Sequence, residues 1–122
     1  MSLNREDLSY LYDIYECITR IKEFTRGMRY HQYIKDKKTI SAVERQFEII
    51  GIASNKLSKE TRDSLNHIPW GMIIGLRNMI AHEYKDIRAD KIWEISKTSL
   101  SELQRELKKI KELKPYIKKW VS

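Results

Sequence analysis

The sequence predicts an all-α bundle, and three observations predict it. Turn residues are scarce, with only four glycines and two prolines in 122 residues. β-Branched alternation is almost absent. Apolar residues instead recur at steps of three and four, the period of a helix with one buried stripe. A chain of this length fits one domain, residues 1–122, with a single modest core. The expected architecture is four main helices plus a short one.

The first helix is expected from Asn4 to Phe24. Asn4 suits the N-cap, and Glu6 and Asp7 suit the positive end of the helix dipole. Leu8, Leu11, Ile14, Tyr15, Ile18 and Ile21 share one face, and Gly27 is a plausible stop. Arg29 to Lys38 is polar and aromatic and reads as a loop or short turn. A second helix is expected from Ser41 to Leu57, with Val43, Phe47, Ile50 and Leu57 inward. Ser58 and Thr61 are candidate caps for the short segment SKETRDSL. Pro69 then sets a first-turn conformation for the helix that follows. Gly71 and Gly75 lie four apart on one face of it, where another helix could approach closely. Each costs about 1 kcal/mol of helix propensity relative to alanine. The last helix is expected from Ala89 to Lys114, with Leu100, Leu103, Leu107, Ile110 and Leu113 inward. Pro115 should end or kink it, and the tail should dock through Tyr116, Ile117 and Trp120.

Composition narrows the classes. Hydrophobic residues make up 41% and charged residues 34%, which excludes a disordered tail. No apolar run reaches the roughly 18 residues of a membrane span. The opening MSLNREDLSY lacks the apolar stretch of a secretory signal. A single cysteine, Cys17, permits no internal disulfide and sits in an apolar stripe, so it reads as core. A cytoplasmic protein without a membrane partner is expected. The formal net charge of +7 favours an anionic partner.

The chemistry concentrates in RNMIAHEY, residues 77–84. A histidine titrating near neutrality can take or give a proton. An arginine offers phosphate oxygens a rigid fork of donors and stabilises a pentavalent transition state. RNA supplies its own nucleophile, the 2′-hydroxyl, so phosphodiester cleavage here needs no metal and no cofactor. Asn78 can add a hydrogen bond. Tyr84 can donate to phosphate or stack on a base. Spacing sets a constraint, because Arg77 and His82 are five residues apart, about 140° around a regular helix. Either the helix ends or loosens near His82, or a second copy of the chain completes the site across a two-fold axis.

Other groups carry less. His31, His67 and His82 lack metal-ligand spacing, so no metal is expected, and His67 reads as an exposed loop residue. Arg45 and Glu48, three apart on the second helix, either pair locally or reach the cleft and orient Arg77 or His82. MRYHQYIKD (28–36) mixes Arg29, His31 and Lys35 with Tyr30 and Tyr33. It reads as a solvated loop packed by its tyrosines, with RNA stacking as the alternative. Lys108, Lys109, Lys111, Lys114, Lys118 and Lys119 read as a solvated helix face that could guide RNA. No Gly-rich phosphate loop and no Ser-His-Asp arrangement occurs.

RNMIAHEY resembles the Arg-x4-His-x-Tyr motif of the HEPN superfamily, specifically the HepT-like toxins. ERQFEIIGIA (44–53) resembles that family's second helix. IPW (68–70) and IIGLRN (73–78) match its lead-in, and Trp93 falls where the family places a tryptophan. The resemblance spans residues 5 to 110. It implies a homodimeric HEPN bundle with its cleft at the interface, and a metal-independent endoribonuclease; whether its RNA substrate is transfer RNA or mRNA stays open. It implies that Arg77 and His82 are the catalytic pair, with Asn78 the polar residue after the arginine. It further implies a minimal nucleotidyltransferase (MNT) antitoxin as partner, which transfers AMP from ATP to the motif tyrosine, Tyr84. Two positions depart from the family pattern. Ile52 replaces a glutamate of the second helix, and Arg88 replaces an acidic residue after the motif. Two other readings stay open: a non-catalytic module that binds a nucleotide or a nucleotidyltransferase, and a plain dimerisation bundle.

Overall fold

The computed structural model describes residues 3–82 and 89–121, with the backbone alone for 78, 79, 81, 82 and 118–121. Its elements are α1 (Arg5–Phe24), α2 (Tyr30–Tyr33), α3 (Lys37–Lys56), α4 (Lys59–Ser64), α5 (Trp70–His82), α6 (Ala89–Lys97), α7 (Ser99–Lys108) and α8 (Lys114–Val121), with a 3₁₀ turn at Lys111–Leu113 before α8. No strand occurs among the described residues, so the protein is an all-α bundle. None of the described helices is long and apolar enough to cross a membrane.

α1 and α3 are the central pair, and α5 packs chiefly on α3. The expected stripes meet in one cluster. Leu11, Ile14, Ile18 and Ile21 from α1 are fully buried against Val43 and Ile50 from α3, Ile92 from α6 and Leu107 from α7. Cys17 lies in this cluster, and burial pushes its thiol up to about 11. It is therefore a core side chain held in the unreactive thiol form.

Capping explains several boundaries. Asn4 Oδ1 accepts from the Asp7 N–H at 2.7 Å and starts α1 as expected. Asp36, not Ser41, starts α3, because its carboxylate accepts from the Thr39 N–H at 3.0 Å. Between these helices, Tyr33 is only 1% exposed. Burying that ring winds Tyr30–Tyr33 into a single helical turn, where the sequence suggests a loop or turn.

The C-terminal third departs most from expectation. The single helix from Ala89 to Lys114 is broken twice. At the first break, the Thr98 hydroxyl donates to the Glu94 carbonyl at 2.9 Å, and the Ser96 hydroxyl donates to Trp93 O at 2.7 Å. Side-chain hydroxyls that bond back in this way compete with the helical ladder and bend it. At the second break, Lys109 and Ile110 close the end of α7 with tighter bonds to Glu106 and Leu107. Ile110 then turns extended, which lets both Ile110 and Leu113 face inward. Pro115 opens α8 instead of ending a helix, a first-turn position where its missing N–H costs nothing. In the tail Ile117 is buried, and the half-exposed Tyr116 ring docks on Tyr12 of α1 with centroids 6.1 Å apart.

One buried carboxylate joins α1 to α4. Asp7 is 2% exposed. It accepts from Ser58 Oγ at 2.6 Å, Thr61 Oγ1 at 2.5 Å and the Ser58 N–H at 3.0 Å. Ser58 Oγ in turn caps α4 by accepting from the Thr61 N–H at 3.2 Å. Burial pushes the Asp7 carboxyl up, but these bonds outweigh it and hold it below its ordinary value.

The closest helix contact is between α3 and α5. Gly51 is buried, and the Arg77 stem lies directly on it. A Cβ added at Gly51 would fall 2.1 Å from Arg77 Cβ and 2.7 Å from Cγ. Cβ moves only with the backbone, so any side chain at position 51 would push α5 off α3. Gly71 and Gly75 contrast with this, because a Cβ at either would meet nothing within 4 Å.

Two stability predictions follow from these contacts. Alanine forms helix better than glycine by about 1 kcal/mol, yet Gly51→Ala should lower stability by about 1–3 kcal/mol through overpacking, read from the urea midpoint. Asp7 contributes stability that is fully present above its unfolded pKa of about 3.9 and lost as pH falls through its lower folded value. The wild-type midpoint should therefore drop below about pH 4, and Asp7→Asn should remove part of that drop. At pH 7, Asp7→Ala should cost about 2 kcal/mol by stranding the Ser58 and Thr61 hydroxyls.

Candidate functional site

α5 is apolar along most of its length, and Arg77 is its one basic residue before His82. The sequence forms a helix here because Ile68 and Pro69 lead in. The Trp70 N–H bonds Ile68 O at 2.8 Å, the Ile73 N–H bonds Pro69 O at 3.2 Å, and Trp70 Nε1 anchors on Leu65 O at 3.2 Å. Contact with Gly51 then fixes the height of Arg77 along α3. Arg77 is half-buried, with its Nε inside the protein surface. A guanidinium on a stem held this way loses little freedom on meeting a phosphate.

His82 lies on the same α-helix as Arg77. Helical backbone continues from Arg77 through His82, so the two positions stand about 140° apart around the axis. The helix does not loosen between Arg77 and His82, but among the described residues it ends at His82, so an end near His82 and a second copy of the chain both stay open as solutions to the spacing problem. Asn78 falls one residue after Arg77 on this helix. Tyr84 and Arg88 lie outside the described residues.

Arg45 and Glu48 are on α3. Arg45 Nη1 sits 3.9 Å from Glu48 Oε1, a local pair on an exposed face. Glu48 is one turn before Gly51 on α3 and so shares its face. Glu48 also lies one turn after Glu44. Burial first, and the Glu48 charge second, hold the Glu44 carboxyl above its ordinary range. The acidic edge of α3 thus leads toward the glycine on which Arg77 rests. Ile52 is half-buried beside it.

The remaining histidine expectations resolve simply. His67 is exposed in the turn before α5, and its Nε2 sits 3.0 Å from Glu106 Oε2. His31 is exposed on α2. A groove of about 440 Å³ runs between α5 and α7, lined by Phe47, Ile50, Met72, Ile73, Leu76 and Leu103 among others. Its lining is mainly apolar but includes Glu102, Arg105 and Glu106 of α7, and neither Arg77, Arg45 nor Glu48 lines it.

Two features are not singled out by the sequence reading. Gly51 is one, and its signal is a glycine kept inside an otherwise continuous apolar helix. The other is a ring-and-cation cluster on α2 and α6, where Lys97 Nζ lies 4.4 Å from the Trp93 ring centroid. Its signal is the Trp-x3-Lys spacing on α6, one helical turn.

The chain matches a family model described as "Ribonuclease HepT-like" over residues 14–110. A Methanocaldococcus jannaschii protein named "Putative RNase" is 35% identical over 106 residues, covering 87% of this chain and 88% of the relative. The "Probable ribonuclease HepT" of Thermococcus cleftensis is 32% identical over 110 residues, covering 90% of this chain and 100% of the relative. A "Putative RNase" of Caldanaerobacter subterraneus is 33% identical over 101 residues, covering 83% and 90%. No solved structure matches the chain. The matched span contains α3, α5 and the whole octet, and the chain belongs to the HepT-like ribonuclease family.

Proposed function

We propose that the protein is a metal-independent endoribonuclease, the toxin of a toxin–antitoxin pair acting in the cytoplasm, with its cleft at a homodimer interface. The observation that carries this reading is that Arg77 and His82 both lie on α5, in a chain of a ribonuclease family, with Arg77 seated on Gly51. Arg77 binds the scissile phosphate and stabilises the charge that develops on its oxygens. His82 serves as general acid or base. The 2′-hydroxyl oxygen attacks the adjacent phosphorus as it loses its proton. The P–O5′ bond breaks, and the leaving 5′-oxygen takes up a proton. The products are a 2′,3′-cyclic phosphate and a 5′-hydroxyl. Asn78 and Tyr84 contact substrate, and Glu48 and Arg45 support the site from α3.

Dimerisation answers the 140° problem, and the exposed face of α5 supports it. α5 carries no polar face on which to meet water, yet it exposes Gly71, Gly75 and Met72, the last at 51%. Among the described residues the glycines make no close packing contact, since a Cβ at either meets nothing within 4 Å. Close approach by a second α5 would give them one and would bring two octets together.

Regulation follows from the same residues. A nucleotidyltransferase antitoxin would join the Tyr84 phenolic oxygen to the α-phosphorus of ATP, releasing pyrophosphate, with the phenolic proton passing to a base of the transferase. The adenylate adds bulk and negative charge beside Arg77, which would exclude RNA.

Cleavage of transfer RNA and mRNA should proceed in EDTA with protein whose intact mass shows no added AMP. His82→Ala and Arg77→Ala should each slow it by about 10²–10⁴-fold while the fold is kept. Folded His82→Ala protein that cuts as fast as wild type would overturn the mechanism. Gly75→Ala should stabilise each isolated chain by up to about 1 kcal/mol yet weaken the dimer in sedimentation; an unchanged dimer would remove α5 from the interface.

A further inference from the structure

Aromatic rings and cations from α1, α2, α6 and α7 meet away from the octet. The aromatic part of the face they form is built around Trp93, whose ring centroid lies 4.9 Å from Tyr33 and 6.3 Å from Tyr30. Tyr33 is the inner wall, while Tyr30 keeps 39% of its surface exposed and Trp93 is half-buried. Lys97 covers the Trp93 ring, and its ammonium also donates to Thr25 Oγ1 at 3.2 Å.

The cationic part continues from there. Lys22 Nζ donates to Gln104 Oε1 at 2.5 Å, and Gln104 Nε2 donates to Thr19 Oγ1 at 3.1 Å. A buried amide thus orients the Lys22 ammonium across the α1–α7 seam. Lys22 is pulled below its ordinary value by desolvation, then by the charges of Lys108, Arg105 and Lys97 in that order. Every charge that acts on it is positive. All four cations are exposed, and none is ion-paired among the described residues. Like charges gathered without a counter-charge repel, and a bound polyanion removes that repulsion.

We propose that this face is a platform for single-stranded RNA, with the exposed Tyr30 ring, backed by Trp93, stacking a base while Lys22, Lys97, Arg105 and Lys108 hold backbone phosphates. Aromatic surface interleaved with cations matches the alternation of base and phosphate along a single strand. A free phosphate or an acidic peptide would leave the rings unused. The proposal rests on the ribonuclease reading for the identity of its ligand. The platform would hold strand away from the cut and lower KM, leaving the chemistry to the octet.

The test is fluorescence anisotropy with a labelled single-stranded RNA of about twelve nucleotides, in the His82→Ala background so that the probe survives. Lys22→Gln, Arg105→Gln and Lys108→Gln together should weaken binding about tenfold or more. They should also flatten the slope of log K against log salt by about 2, since each lost phosphate contact on single strands removes about 0.7. Tyr30→Ala should weaken binding by about tenfold with the slope unchanged. The control triple Lys38→Gln, Lys56→Gln and Lys59→Gln removes as much charge elsewhere and should have a much smaller effect. Equal losses in both triples, or no loss in the first, would overturn the platform. Lys22 bonds Gln104, so Arg105→Gln with Lys108→Gln alone provides a variant that leaves this bond intact and should flatten the slope by about 1.4. Cleavage is measured separately on chains that retain His82. Binding through this face without cleavage keeps the platform and sinks the nuclease; cleavage with binding indifferent to these residues does the reverse.

Discussion

The contact between Gly51 and the stem of Arg77 governs the arrangement of this protein. α5 packs chiefly on α3, so the position of the octet is inherited from that one crossing. Where a Cβ would sit 2.1 Å from another Cβ, the helices are as close as backbones bearing side chains can come. The closeness has two effects. It half-buries the long Arg77 side chain, trading rotamer freedom for a fixed direction. It also leaves the opposite side of α5 open, so that apolar surface faces out around Met72 and the exposed glycines. Anchoring on one side and exposure on the other give a helix that is fixed within its own chain and bare on its outer face.

Much of the fold was legible because helical stripes are a direct record of burial. Leu11, Ile14, Ile18 and Ile21, and Val43 with Ile50, all reach the core, since a side chain every third or fourth position has only one side of a helix to occupy. Caps were legible where the residue could act alone, as with Asn4 and Ser58. The C-terminal third was less legible. Ser96 and Thr98 end α6 through bonds from their hydroxyls to their own backbone, and the apolar pattern runs straight across that break. Pro115 was ambiguous in principle, because its ring is as well suited to opening a helix as to ending one.

The candidate site divides in the same way. The octet was visible as a concentration of chemical groups, and its place on a helix followed from the apolar lead-in of residues 68–76. The 140° separation followed from helical geometry, and the helix does continue through His82. Gly51 was invisible as a partner of Arg77, because a glycine advertises the space it leaves without naming what fills it. The ring-and-cation face was visible only in pieces. Tyr30, Tyr33 and Lys108 stood out as possible RNA contacts, but nothing in the sequence joins them to Lys22, Trp93, Lys97 and Arg105, because the members come from four helices and meet only after folding.

The Gly51 contact has a genetic consequence. Selection for chains that have lost ribonuclease activity would not confine itself to RNMIAHEY. A single methyl at position 51 would disable the octet from another helix while leaving every one of its residues intact. Such alleles would pass as functional to anyone reading the motif alone. The atoms that methyl would strike belong to Arg77 itself, so a smaller neighbour on α5 would not readmit α3, and only loss of the Arg77 side chain would. Two positions distant in sequence would therefore drift as one genetic unit.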